Sequence, residues 1–240
     1  KLDTGMHRLG FNSEELSQAL DILSSSKRVQ IKSVFSHLAA SDESAHDEFT
    51  RGQIAQFELL CSQIEQHLTG ADYIRHIANS AATERFPEAT FDMVRIGIGL
   101  YGISAVEDNN LQNVCTLKTK IVQIKHIAAG ETIGYGRHGR ADQGKTIATI
   151  PIGYADGLDR RLGNGNWSVK VGDHFAPIIG NVCMDTCMID VSGLTVNEGD
   201  SVTIFGAENN VSQMAAVLGT IPYEVMTNIS KRVKRVYIKE

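Results

Sequence analysis

The sequence predicts an α/β domain followed by an all-β one: the second half of a (β/α)8 TIM barrel, then a C-terminal β-strand-rich, barrel-like domain. Three observations predict it. From Lys1 to about Ala105, short apolar runs alternate with amphipathic helical ones, the pattern of a parallel sheet with crossover helices. From about Val114 the texture changes to short β-branched runs separated by Gly turns such as Ala129-Gly130-Glu131, Gly163-Asn164-Gly165-Asn166, Val171-Gly172-Asp173 and Glu198-Gly199-Asp200, a density that points to a small barrel or sandwich. A closed barrel takes roughly 250 residues, whereas the first region supplies about four strand–helix units, half of one. The expected domains are 1–108 and 109–240, with Val106-Glu107-Asp108-Asn109-Asn110 as an exposed linker.

Taken in order, Leu2-Asp3 reads as a strand end that turns at Gly5. Ser13 reads as the N-cap of a helix to about Leu23, with Glu14 and Glu15 in its first turn, where acidic groups favour the helix dipole. Val29–Phe35 is the next strand. Phe49, Ile54, Phe57, Leu60 and Ile64 recur at three- and four-residue spacing, which predicts a helix over 44–68 ended by Gly70. Tyr73–Ile77 and Met93–Ile96 are expected strands, with a short helix over Ala81–Arg85 between them. In the β region the expected strands are Leu117–His126, Lys145–Pro151, Trp167–Val171, Phe175–Ile179, Met188–Val191 and Ser201–Phe205, with one helix over Val211–Leu218.

Composition narrows the function classes. The formal net charge of −5 supplies no global attraction to nucleic acid or to an anionic membrane. No apolar run approaches the ~20 residues needed to span a bilayer. Cys61, Cys115, Cys183 and Cys187 stand in unlike contexts without a Cys-x-x-Cys pair, which reads as reduced thiols in a cytoplasmic protein with no metal site.

Chemistry-bearing residues collect where barrel strands should end. Gly134-Tyr135-Gly136, followed by Arg137, His138 and Arg140, presents a phenol at a tight turn; the plain alternative is a surface hairpin with a packed Tyr. Arg95 precedes the glycines of Gly97-Ile98-Gly99, whose bare N–H groups suit a phosphate; otherwise Arg95 pairs with Asp92 at an ordinary barrel turn. Asn79-Ser80 suits the same anion, or Ser80 caps the following helix. His37 and Arg8 follow two other strands, and both have structural readings, Arg8 as a partner of Asp3. Cys183 lacks a neighbouring base that would make it a nucleophile.

Taken together, Lys1-Leu2-Asp3-Thr4-Gly5-Met6-His7-Arg8-Leu9-Gly10, His76-Ile77-Ala78-Asn79-Ser80, Arg95-Ile96-Gly97-Ile98-Gly99-Leu100-Tyr101-Gly102, Gly134-Tyr135-Gly136, Gly153-Tyr154-Ala155-Asp156-Gly157 and Cys183-Met184-Asp185 resemble the alanine racemase family of pyridoxal-phosphate enzymes. The match runs the length of the chain, in order. The resemblance implies racemisation of L- and D-alanine, with D-alanine going to bacterial peptidoglycan, and a head-to-tail homodimer in which each site combines one barrel with the partner's β domain. It implies Ser80, Asn79 and the Gly97-Ile98 backbone as phosphate ligands, and Arg95 as donor to the pyridine nitrogen. Tyr135 becomes the base on the L face, its phenol made more acidic by the basic groups beside it, and His37 its link to Arg95. Arg8 and the Met184 backbone N–H become ligands of the substrate carboxylate, Lys1 a carbamylated lysine orienting Arg8, and Tyr154 and Arg160 the lining of the entry channel. One departure is Lys231, where some members carry a phosphate-binding Tyr. Another is the family's Schiff-base lysine, expected upstream of Lys1; the chain is expected to be a fragment and, by itself, inactive. Two other functions fit the same residues: a racemase acting on serine or on a broad set of amino acids, and a non-catalytic β interaction module.

Overall fold

Asn12 opens the first helix. In the computed structural model, which describes residues 1–26, 28–106 and 111–238, the side chain of Asn12 accepts from the Glu14 and Glu15 N–H groups, and the Glu15 carboxylate accepts from Asn12 N–H at 3.1 Å. This reciprocal pair satisfies donors that helix α1 (Ser13–Ser25) leaves open. The cap thus lies one residue before Ser13, which is already helical. Leu16, Ala19 and Leu20 form the buried face of α1.

The chain clusters into two units, Lys1–Gln112 and Asn113–Glu240. In the first, strands β1 (Ser33–Phe35) and β2 (Ile74–His76) pair in parallel, with Val34 opposite Arg75. Leu2 N–H donates to Phe35 O at 2.8 Å on one side of this pair, and Asp92 N–H and Arg95 N–H donate to Arg75 O and Ala78 O on the other. The strand expected over 93–96 is therefore not formed: Asp92 bonds to β2 and Arg95 to Ala78 just beyond it, and no ladder connects them. The strand expected from Val29 is cut to its last three residues because β2 offers only three partners. Helix α2 (Asp47–His67) follows a 3₁₀ turn at Ser44–His46, and its spaced apolar residues Ile54, Phe57, Leu60 and Ile64 are all buried. Each such side chain contributes roughly 1.5–3 kcal/mol on leaving water. They pack with Leu2, Val34, Ile77 and Phe86 in one core, under the short helix α3 (Ser80–Arg85).

Among the described residues the second unit carries nine strands: β3 (Leu117–Lys120), β4 (Gln123–Ile127), β5 (Glu131–Ile133), β6 (Gly139–Ala141), β7 (Lys145–Ile150), β8 (Ser168–Val171), β9 (His174–Ile179), β10 (Cys187–Asp190) and β11 (Ser201–Phe205). Seven form one antiparallel sheet in the order β3-β11-β8-β9-β10-β7-β4. Its two edges, β3 and β4, are consecutive in the chain, joined only through Ile121 and Val122. A flat sheet of this width would hold its edges about 29 Å apart, and so short a connection spans at most about 11 Å. The sheet must curl toward closure. The single run expected over 117–126 is accordingly two strands with buried Ile121 at the corner. Helix α4 (Val211–Leu218) forms where the sequence predicts it, capped by Asn210 and ended by Gly219 at φ +65°. Helix α5 (Pro222–Thr227) was not expected, whereas the β5/β6 hairpin forms as the alternative reading of the Tyr135 stretch had it. Of the expected linker, residues 107–110 lie outside the described residues.

Candidate active site

In the first unit, polar groups gather beyond the ends of β1 and β2. Asn79 caps α3: its side-chain oxygen accepts from Ala82 N–H and from the Ser41 hydroxyl, both at 2.9 Å. Ser80 is the first helical residue, so the cap expected of it belongs to its neighbour. Its own Oγ, in a residue only 3% exposed, accepts from Gly97 N–H at 2.8 Å and Gly99 N–H at 3.2 Å. Ile98 N–H, between those two, has no partner among the described residues. A Cβ on Gly99 would stand 3.3 Å from Ile96 Cγ2 and 3.5 Å from Ser80 Oγ, a close fit.

Arg95 is fixed on both terminal nitrogens. One donates to His76 Nδ1 at 2.6 Å and His76 O at 3.2 Å; the other donates to Ser36 O at 2.8 Å and to Ile77 O and His37 Nδ1 at 3.2 Å. Guanidinium has no acceptor. Both imidazoles must therefore present a bare Nδ1 to it and carry their proton on Nε2. Burial, then the charge of Arg95, holds both His37 and His76 below the ordinary histidine range, and Arg8 and Lys1 add to this at His37. Arg95 Nε has no partner among the described residues. The alternative pairing with Asp92 is not formed, because that carboxylate takes Arg75 N–H at 2.7 Å and the Arg75 side chain. Nor does Arg8 pair with Asp3, which is occupied by Gly5 N–H, His7 N–H and the His7 ring.

In the second unit Tyr135 lies on a 3₁₀ turn at the tip of the β5/β6 hairpin, with Gly134 at φ +75° and Gly136 at φ +69°. Its side chain is 72% exposed, which removes the packed-Tyr reading. The basic residues that follow it are turned elsewhere: Arg137 Nε donates to Thr132 Oγ1 at 3.1 Å, and Arg140 pairs with Asp142. Neither guanidinium is bonded to the phenol.

Two further loops of this unit are stitched together. Tyr154 N–H donates to Cys183 O and Ala155 N–H to Met184 O, each at 3.0 Å. A Cβ on Gly153 would meet both those carbonyl oxygens at 2.3 Å, so only glycine allows the approach. Met184 is exposed, and its N–H has no partner among the described residues. Tyr154 and Arg160 are exposed. Lys231 is exposed too, and the side chain that bonds is the next one. Arg232 grips Asp156 at 2.6 Å and also Asp185, joining the C-terminal segment to both loops. Sequence reasoning passed over Arg232; a buried Asp in Tyr154-Ala155-Asp156-Gly157 asks for such a partner.

Burial pushes the Asp156 carboxyl up, but the Arg232 hydrogen bond, Gly153 N–H and the Arg232 charge together leave it below the ordinary carboxylate range. The unfolded value is ~3.9. The pair's stabilisation is therefore fully present above that value and lost as pH falls through the lower folded one. Denaturation midpoints of Arg232→Met are expected to fall below those of the native chain at pH 7 and to converge with them in acid, once pH has fallen through the lowered folded value. An equal separation at both pH values would contradict this account.

Comparison with known proteins agrees with the residue pattern. The family model "Alanine racemase, N-terminal domain" matches residues 1–105, and "Alanine racemase, C-terminal domain" matches residues 114–237. Alanine racemase 1 of Clostridium acetobutylicum is 42% identical over 99% of this chain, which spans 64% of that relative's length. The structure of alanine racemase from Streptomyces coelicolor superposes with a TM-score of 0.91 at 31% identity, over 99% of this chain and 65% of that one. That from Bartonella henselae, described with covalently bound pyridoxal phosphate, gives 0.86 at 32% identity, over 98% of this chain and 65% of that one. The fold class expected from the sequence, a partial (β/α)8 barrel followed by a β domain, is the fold class of these structures.

Proposed function

The chain belongs to the alanine racemase family, and from this premise we propose that it forms the greater part of a pyridoxal-phosphate-dependent isomerase interconverting L- and D-alanine. In this reading 1–108 is the cofactor-binding domain and 109–240 the β domain. The whole protein works as a head-to-tail homodimer in the cytoplasm, supplying D-alanine for peptidoglycan. No helix among the described residues is long and apolar enough to cross a membrane.

The observation that carries the reading is Arg95, a guanidinium anchored by two nitrogens with its third donor open. Arginine stays protonated throughout the working pH range. It can donate a hydrogen bond to a pyridine nitrogen but cannot hand over its proton. The rest of the donor set suits the same group. Ser80 supplies a hydroxyl, Asn79 the NH₂ end of its carboxamide and Ile98 an open backbone N–H for a phosphate, beside a Gly97 N–H held on Ser80 Oγ. When bound, pyridoxal phosphate supplies an electron sink that makes the substrate Cα–H acidic. An Arg-held, unprotonated ring nitrogen makes that sink a weak one, which favours simple proton return over side reactions.

Inversion needs a proton acceptor on one face of Cα and a donor on the other. Tyr135 takes the L face, on a turn that leaves the phenol free to enter a partner copy's cradle. His37, neutral and with Nδ1 fixed on Arg95, keeps Nε2–H as a donor that steadies the phenolate. Arg8 and Met184 N–H hold the substrate carboxylate, Lys1 orients Arg8, and Tyr154 and Arg160 line the approach.

The test is substrate profiling of the whole protein with added pyridoxal phosphate, following D-isomers by chiral separation and bound cofactor by its visible absorption. D-alanine is expected to form faster than D-serine from equal substrate. A faster reaction with serine would move the protein to a serine racemase, and bound cofactor with neither product would sink the reading.

A further inference from the structure

We propose that Asn181 is a positioning residue that sets the place of Tyr135 relative to Met184, acting through the backbone carbonyl of Tyr135. The inference rests on the racemase reading for its kinetic consequence, but its geometry stands apart from it. Asn181 is 6% exposed, and its side-chain nitrogen donates to Tyr135 O at 2.9 Å. Its side-chain oxygen accepts from Asn164 Nδ2, also at 2.9 Å.

The orientation of this amide is dictated by its partners. A backbone carbonyl only accepts, so the NH₂ end must face Tyr135. The oxygen end then faces Asn164, which must turn its own NH₂ inward. Asn164 can serve there because it sits in the left-handed region at φ +58°, which Asn tolerates better than most residues. The turn that carries it wraps the Asn181 backbone, with Asn164 N–H donating to Gly180 O at 2.9 Å.

Glycines let the two segments meet. A Cβ on Gly139 would stand 2.8 Å from Ile133 O and 3.1 Å from Gly180 N, and one on Gly180 would stand 2.8 Å from Ile133 O. The hairpin is thus pressed backbone to backbone against residue 180, and the next residue reaches over to hold its tip. From Asn181 the chain runs three residues to Met184, through a tight turn closed by Cys183 N–H to Thr186 O at 3.0 Å. One buried carboxamide therefore ties the proposed base to the proposed carboxylate ligand. The exposed phenol has no side-chain bond of its own among the described residues, so its aim depends on the backbone that carries it.

The test compares Asn181→Asp, which keeps the shape but turns an acceptor toward Tyr135 O, with Asn164→Gly, which removes the orienting amide and suits the positive φ. Both are made in the whole protein with bound pyridoxal phosphate. Misplacing a reacting group by an ångström costs up to about 100-fold in rate. Asn181→Asp is expected to lose at least about tenfold in kcat/KM. Its primary isotope effect should rise with Cα-deuterated L-alanine relative to D-alanine, because only the L enantiomer gives its hydrogen to Tyr135. Amide exchange at Arg137 N–H, which closes the turn onto Gly134 O, should speed up. Asn164→Gly should show the same signs at smaller size. An unaltered ratio of isotope effects, or unaltered exchange at residues 134–138, would overturn the proposal. Should the unaltered protein racemise nothing, the functional reading falls and exchange alone judges Asn181.

Discussion

Tyr135→Phe is expected to cut racemisation by about 10²- to 10⁴-fold, the range for removal of a positioned general base. The substitution deletes one oxygen from a side chain that is 72% exposed and has no side-chain hydrogen bond among the described residues. The turn beneath it depends on Gly134, Gly136 and the Asn181 amide, none of which the change touches. Thermal unfolding should therefore match that of the unaltered protein, and the cofactor's visible band should remain. The measurement is kcat/KM for both enantiomers in the whole protein, beside a melting curve. Retention of more than about a tenth of the activity would remove Tyr135 as the base, because the remaining phenyl ring can accept no proton.

Where side chains and local backbone rules decide the structure, the sequence was readable. Helix α4 has its capping Asn and its terminal Gly in the positions that stop and start a helix, and α2 repeats its buried residues at helical spacing. The meeting of Ser80 with Gly97 and Gly99 was readable for a related reason, though the cap falls on Asn79 and not on Ser80. A Ser beside a capping Asn, and glycines after an Arg, are local groupings whose chemistry does not depend on distant partners. What was hidden is non-local. No property of residues 93–96 says that β2 will be too short to pair with them. Strand β6 is Gly139-Arg140-Ala141, with little β propensity, and exists because Gly139 and Gly180 let backbones touch. Sequence adjacency did not show that the long side chains of Arg137 and Arg140 reach Thr132 and Asp142. Asn181 and Arg232 went unread because each joins segments tens of residues apart. A buried amide or carboxylate must find partners, but sequence does not say where.

Arg95→Lys should show how much of the site rests on a fork and not on a charge. Lysine keeps the positive charge near His37, so the histidine's depressed titration should persist by NMR, burial being its larger cause and charge the next. It cannot keep the geometry. Arg95 feeds three backbone carbonyls and two imidazole nitrogens from two terminal nitrogens on one rigid plane, and an ammonium on a flexible stem reaches only some of them. Carbonyls left without donors in a half-buried setting cost on the order of 3 kcal/mol in stability. The open Nε donor disappears with the guanidinium. A donor held toward developing charge is worth about 100- to 1,000-fold in rate, and kcat is expected to fall by at least the lower figure, with a shifted cofactor absorption band. Activity near normal with only the stability loss would make Arg95 a structural tie between β1 and β2. Loss of activity without loss of stability would mean that its carbonyl bonds matter less than its open nitrogen.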